Sequence, residues 1–294
     1  MRRRALLAAA AAWPALRPAP GRAAGPSRIV CVGGALTECV FALGQGDKVV
    51  GVDSTSLFPA AARALPNIGY MRALPPEGVV SLHPDLLLLS DEAGPPGAVE
   101  TLRAAHLSLH SIPDQAGGEA AVAKLRAVAG ALGVSPEPVA GALAADWAAM
   151  DAPIAALAGR PRVLFLLAAS SGAPLAAGRG THAEAAIASA GAVNVVGGFA
   201  GYRPLSAEAA ATLAPDTILL MDHALQGLGG REALRRIPAV AVTPAGASGR
   251  ILTMDGAYML GFGPRAAHAR RDLALLLHPG ATLPELPDRP WLRG

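Results

Sequence analysis

The sequence predicts an α/β protein of two similar lobes with mainly parallel sheets, joined by a long spine helix, with a ligand cleft between the lobes. Three observations carry this expectation. Short apolar runs of strand character alternate with helical stretches in both halves of the chain, the pattern that builds parallel sheets. An Ala/Leu-rich stretch from Gly118 to Leu157 carries no strand signal between those halves. A block of residues also recurs: Gly69-Tyr70 leads through Leu74 and Glu77 to Pro84-Asp85 and an apolar strand, and Gly201-Tyr202 leads through Leu205 and Glu208 to Pro215-Asp216 and another.

Taken in order, Arg28 to Val32 reads as a short buried strand, Gly33-Gly34 as a tight turn and Thr37 to Leu43 as a helix stopped by Gly44. Val49 to Val52 is the next strand, and a loop through Phe58-Pro59 and Asn67 to Met71 leads to a short helix over Pro75 to Ser81. After the turn at His83-Pro84-Asp85 come a strand at Leu86 to Leu89, a helix at Val99 to Ala105 and a strand at Leu107 to Ile112. The helical stretch that follows is interrupted near Ser135-Pro136 and kinked at Pro153, because proline lacks the amide that would continue the ladder. A second α/β segment opens at Arg162 to Leu167. Upstream of the repeated block, Ala42-Leu43-Gly44 followed by Val49-Val50-Gly51 is echoed by Ala190-Gly191 followed by Val195-Val196-Gly197. The expected division is a leader over 1–24, a first lobe over 25–117, a helical spine over 118–160 and a second lobe over 161–294. Related lobes of this kind set their repeated loops facing each other across a cleft, a common place for a ligand.

The bulk composition agrees with a folded chain. With 294 residues, 52% of them hydrophobic, and a mean hydropathy of +0.38, a sizeable core can form. The net charge is only +3 and the arginines are scattered beyond Arg2-Arg3-Arg4, so nothing resembles the basic stripe of a nucleic-acid binder. An anionic small ligand fits that charge.

The first residues read as an export signal: Arg2-Arg3-Arg4 is the basic region, Ala5 to Leu16 the apolar region and Gly21-Arg22-Ala23 a small-x-small cleavage site, so the mature chain begins near Ala24. The apolar run is too short to span a bilayer, and neither cysteine sits in a lipidation context. A soluble, exported, monomeric protein is expected. Cys31 and Cys39 read as buried small hydrophobes rather than a disulfide.

Catalytic motifs are missing. Val32-Gly33-Gly34-Ala35 superficially resembles a nucleotide-binding turn, yet the chain has no Gly-x-Gly-x-x-Gly, no phosphate-loop motif and no Gly-x-Ser-x-Gly elbow. An exported α/β enzyme is therefore the weaker reading. Of the histidines, His83 lies in a turn, and His106, His110, His223, His268 and His278 form no ligand-spaced cluster. His182, at a predicted helix start, reads as a surface or capping residue.

These blocks resemble the helical-spine class of periplasmic binding proteins that serve ABC importers of metal chelates, and within it the haem-binding proteins of the HmuT, PhuT and ShuT type. The likeness lies in Arg28 to Val30 with Gly33 to Glu38, Val49 to Ser56, Gly69 to Leu74, Ser170 to Thr181, Gly201 to Leu205 and Leu260 to Pro264. From residue pattern alone, Tyr70 packs its ring against its lobe and Arg72 is a solvated loop charge. The resemblance implies instead that Tyr70 ligates ferric haem iron, with Arg72 as the neighbouring cation that hydrogen-bonds the phenolate. A phenolate is a hard anion suited to Fe(III), and tyrosine is a known haem ligand.

By the same resemblance Tyr202, Arg203 and Arg179 are candidates to stack on the porphyrin or pair with its propionates. One haem is expected, with Tyr70 as its sole protein ligand to iron, and a second stacked haem is the minority alternative. Glu77 and Glu208, otherwise ordinary solvated charges, become the docking points for arginines of the permease dimer that works with a cytoplasmic ATPase. Cobalamin or a ferric siderophore is the rival cargo. Cobalamin sites of the class favour tryptophan at the Tyr70 position, and the mature chain has only Trp147 and Trp291, outside the cleft loops.

Overall fold

The computed structural model describes residues 25–168 and 173–294. The expected leader over 1–24, and Ser170 to Gly172 of the likeness quoted above, lie outside the described residues.

The first sheet is fully parallel, in the order β2-β1-β3-β4, with β1 at Ile29–Val32, β2 at Val49–Val52, β3 at Leu86–Ser90 and β4 at Leu109–Ile112. Every residue of β1 and β3 is buried, as the unbroken apolar runs IVCV and LLLLS require for strands covered on both faces. The second sheet contains β5 at Arg162–Ala168, β6 at Leu175–Ala177, β7 at Val193–Asn194, β8 at Tyr202–Pro204, β9 at Thr217–Met221 and β10 at Ile251–Met254. Its order is β10-β9-β5-β6-β8, with β7 also on β5; the β5–β6 and β6–β8 pairs are antiparallel and the other pairs parallel.

The repeat seen in the sequence extends to individual hydrogen bonds. Asp85 accepts the Arg28 amide at 2.9 Å, and Asp216 accepts the Arg162 amide at 3.2 Å. Arg28 donates to the Leu82 carbonyl at 2.6 Å, and Arg162 to the Leu213 carbonyl at 2.7 Å. Leu82 and Leu213 each stand three residues before their aspartate. Each Pro-Asp turn thus anchors the start of its lobe's central strand.

The connection between the sheets is not one long helix. Among the described residues it is a series of helices at Gly118–Leu132, Val139–Ala149 and Asp151–Ala155. Gly133, at φ 68°, ends the first in a left-handed turn, and Pro136 and Pro138 prevent its continuation. The break expected near Ser135-Pro136 is present, and the second helix ends just before Pro153. No described helix is long and apolar enough to cross a membrane.

One hydrophobic cluster runs through both halves, including Ile29 and Cys31 of β1, Leu125 and Leu143 of the connecting helices, and Val163 and Phe165 of β5. Buried polar contacts join the same layers. The Lys124 ammonium, on the first connecting helix, donates to Asp114 at 2.6 Å and to the Gly261 carbonyl at 2.8 Å. Glu38, on the Gly34–Ala42 helix, accepts two bonds from Arg265, at 2.8 and 2.5 Å, and Arg265 lies 3.8 Å over the Phe58 ring. Cys31 and Cys39 are free and buried.

Candidate functional site

Ligands of open α/β sheets bind beyond the carboxyl ends of the strands. In the first lobe those ends carry Gly33 after β1, Asp53 after β2, Asp91 and Glu92 after β3, and Asp114 beyond β4. Asp53 organises this edge: it accepts the Gly33 amide at 2.9 Å, the Thr55 amide at 3.0 Å and the Ser56 hydroxyl at 3.0 Å. Thr55 in turn accepts the Gly34 amide at 2.9 Å. Gly34 is needed there, because a Cβ would stand 2.4 Å from the Thr55 carbonyl oxygen.

The Gly69-Tyr70 loop is pinned to that edge. Ser54 donates its amide to the Gly69 carbonyl at 2.8 Å, and the Gly69 amide bonds the Asn67 side chain at 2.8 Å. Gly69 takes φ 99°, a left-handed conformation that favours glycine. Beyond it the Gly94 amide bonds the Met71 carbonyl and the Leu74 amide the Gly94 carbonyl, both at 2.9 Å. Met71 and Leu74 are buried, so the loop is anchored on either side of Tyr70, which stays 44% exposed.

Arg72 donates from Nη1 to the Tyr70 phenolic oxygen at 3.1 Å, and its Nη2 pairs with the Glu92 carboxylate. Partial burial works against the guanidinium's charge, but Tyr70 and Glu92 outweigh it and raise the group above its ordinary value. Arg72 is therefore a fixed cation beside an exposed phenol. That is a donor set for an anionic phenolate oxygen.

The second Gly-Tyr segment reaches the same place by a different backbone. Tyr70 precedes a 3-10 turn at Met71–Ala73, whereas Tyr202 starts β8 and pairs with Ala177 of β6. Burial pushes the Tyr202 phenol up; Arg72 opposes that rise, Glu92 adds to it, and the Thr181 hydroxyl and Ala183 amide oppose it. Tyr202 thus lies within the field of the Arg72–Glu92 pair, at the start of the His182–Ser189 helix. The two lobes face each other here.

Neighbouring strand residues point to opposite faces, so Arg203 leaves β8 on the side away from Tyr202. Its guanidinium lies 5.6 Å over the Phe199 ring. Arg179 is exposed, and its amide bonds the Phe199 carbonyl at 2.8 Å, in the same corner as Tyr202. Glu77 and Glu208 are both exposed second residues of short helices, Pro76–Val80 and Ala207–Leu213. Among the described residues none of these four makes an ion pair.

His182 is neither a surface nor a capping residue. Thr181 caps its helix by accepting the Glu184 amide at 3.1 Å, while the His182 ring is half-buried, 3.1 Å from the Asp114 carbonyl and 5.8 Å from the Phe262 ring. Helix start and lobe contact coincide here, which a sequence pattern does not separate. Glu92 was not among the residues expected at the site. Its only signal is its place just beyond the carboxyl end of β3.

Comparison with known proteins agrees with this fold. The periplasmic heme-binding protein RhuT from Roseiflexus sp. RS-1 is 39% identical, with 88% of this chain and 100% of that one covered and a TM-score of 0.83. The periplasmic heme-binding protein BhuT, solved with two hemes, is 40% identical over 87% of this chain and 99% of that one, with a TM-score of 0.81. Curated relatives match over shorter stretches; the Vitamin B12-binding protein of Vibrio vulnificus is 31% identical over 81 residues, 28% of this chain and 30% of its own length. The chain spans about a fifth to a third of the curated relatives it matches. The model of a family described as periplasmic binding protein matches residues 29–258, a span holding both Gly-Tyr segments and both sheets, and the chain belongs to that family.

Proposed function

We propose that this protein captures haem in the periplasm, holds it between its lobes with Tyr70 on the iron, and passes it to an ABC importer. The observation that carries the reading is the Arg72 hydrogen bond, 3.1 Å long, to a half-exposed Tyr70 on a loop fixed at the carboxyl edge of the first sheet. The donor is already aimed at the oxygen that would become anionic on iron, so little reorganisation accompanies binding. The 39% and 40% identities to heme-binding proteins, over nearly all of the described chain, support the same cargo.

Tyr202 faces the other side of the ligand and stacks on the porphyrin, while Arg179 is the cation offered to its propionates; Arg203, on the opposite face of β8, lies over Phe199 instead. Glu77 and Glu208, placed alike on the two lobes, dock on arginines of the permease dimer, which works with a cytoplasmic ATPase. The protein acts as an exported monomer, processed near Ala24, with the lobes over 25–117 and 161–294 and the spine between them.

Titration of the purified protein with haemin tests the cargo. A stoichiometric complex with the absorption bands of high-spin ferric tyrosinate, lost in Tyr70→Phe, is expected. An unchanged spectrum in that variant removes Tyr70 from its role. The Vibrio vulnificus likeness gives a second reading, cobalamin, and parallel titration with cyanocobalamin separates the two.

A further inference from the structure

Arg72 and Glu92 are 20 residues apart: Arg72 lies in the turn at Met71–Ala73 and Glu92 just beyond the end of β3. Arg72 is a long, half-exposed side chain, and a free arginine samples many rotamers, most of which would carry its guanidinium away from Tyr70. The structure fixes one of them. Glu92 holds Nη2, and with that nitrogen taken the planar fork leaves Nη1 aimed at the Tyr70 oxygen.

Glu92 is itself held. Its amide bonds the Ser90 hydroxyl at 3.2 Å, and Ser90, fully buried at the end of β3, bonds Asp114 at 3.4 Å. Asp91 accepts the Asp114 amide at 2.9 Å, so the turn beyond β3 is tied to the turn beyond β4. The acid that orients Arg72 therefore rests on the sheet rather than on a free loop.

We infer that Glu92 is a positioning residue of the cargo site: it grips one end of the Arg72 guanidinium and thereby aims the other at the Tyr70 phenolic oxygen. The inference rests on the haem reading of Tyr70. Glu92 acts only through Arg72. Its carboxylate also offsets part of the arginine's charge, so the site presents an oriented donor to the phenolate without a strong net positive field.

The test compares Glu92→Ala and Glu92→Gln with the unaltered full chain by haemin titration, absorption spectroscopy and thermal denaturation. Glu92→Ala is expected to weaken haemin binding about threefold to tenfold, the range for one partly exposed charge-assisted hydrogen bond, and to shift the tyrosinate-to-iron charge-transfer band. Glu92→Gln keeps an acceptor for Nη2 and is expected to restore most of both. Wild-type affinity and band in Glu92→Ala overturn the inference. A loss of affinity with an unmoved band and a lowered Tm also overturns it, since that is a general structural effect. If Tyr70→Phe leaves the spectrum unchanged, the haem reading itself fails and takes the inference with it; if Tyr70→Phe loses the band while Glu92→Ala is silent, only the inference fails.

Discussion

Asp53 holds the Gly33 amide at 2.9 Å across 20 residues of sequence, and this contact ties the ends of β2 and β1 together beneath the Tyr70 loop. Asp53 is 1% exposed and also bonds Thr55 and Ser56, so truncating it leaves several buried donors unpaired. Asp53→Ala is expected to cost about 3 kcal/mol. Asp53→Asn, which keeps one acceptor oxygen, costs about half as much. Urea unfolding followed by circular dichroism measures both, and a cost equal to that of an ordinary surface substitution would contradict this account.

Asp85 gives the protein a distinct acid sensitivity. The slight burial of its carboxylate raises its value, but bonds from the Ser27 hydroxyl, the Ser27 amide and the Arg28 amide outweigh that and lower it below the ordinary carboxylate range. As pH falls, the unfolded chain takes up this proton first. The group's contribution is thus present above about pH 4 and is lost as pH falls through the lower folded value. Because the group is exposed, the effect is below about 1 kcal/mol. The slope of stability against pH in that acid range should flatten in Asp85→Asn, as denaturation at a series of pH values would show.

The cysteines should be inert while the protein is folded. Burial pushes the Cys31 thiol up to about 12, with a Thr37 hydrogen bond opposing and Asp53 adding, and burial raises Cys39 as well. A thiolate is needed for reaction with disulfide reagents. Thiol titration at pH 8 is expected to find neither cysteine in the native protein and both in guanidinium, and a reductant should leave Tm unchanged.

Docking and cargo binding should separate genetically. Glu77 and Glu208 lie outside the Tyr70–Arg72–Tyr202 cluster, so the double variant Glu77→Lys/Glu208→Lys is expected to bind haemin within about twofold of wild type. Its delivery to the importer in reconstituted vesicles should fall by about tenfold or more, because like charges would then meet at the interface. Equal losses in binding and delivery would refute the docking role.

Much of the fold is written in local pattern. The apolar runs IVCV and LLLLS announce strands covered on both faces, and the two Pro-Asp turns with their upstream arginines carry the duplication down to individual hydrogen bonds. The pairing of Tyr70 with Arg72, two residues apart on one loop, was legible through the family resemblance, since residue pattern alone reads the tyrosine as packed and the arginine as solvated. Glu92 was not, since nothing in the sequence links it to Arg72 before the sheet brings β2 and β3 to a common edge. The two Gly-Tyr segments read alike but differ in backbone, because Tyr202 gains a strand partner, Ala177, that Tyr70 lacks. His182 reads as a surface or capping residue, and only the approach of its helix to Asp114 and Phe262 half-buries its ring.

The bond between Glu38 and Arg265 also bears on how the chain comes together in time. The partners are 227 residues apart, and a buried carboxylate without its guanidinium is costly. Lys124 also acts on Glu38, but it is already paired with Asp114, so the direct partner of Glu38 comes only with Arg265. Contacts of such long range slow folding, because the intervening chain must be ordered before they form. The two halves are therefore expected to fold as one event, with Arg265 in place, rather than lobe by lobe.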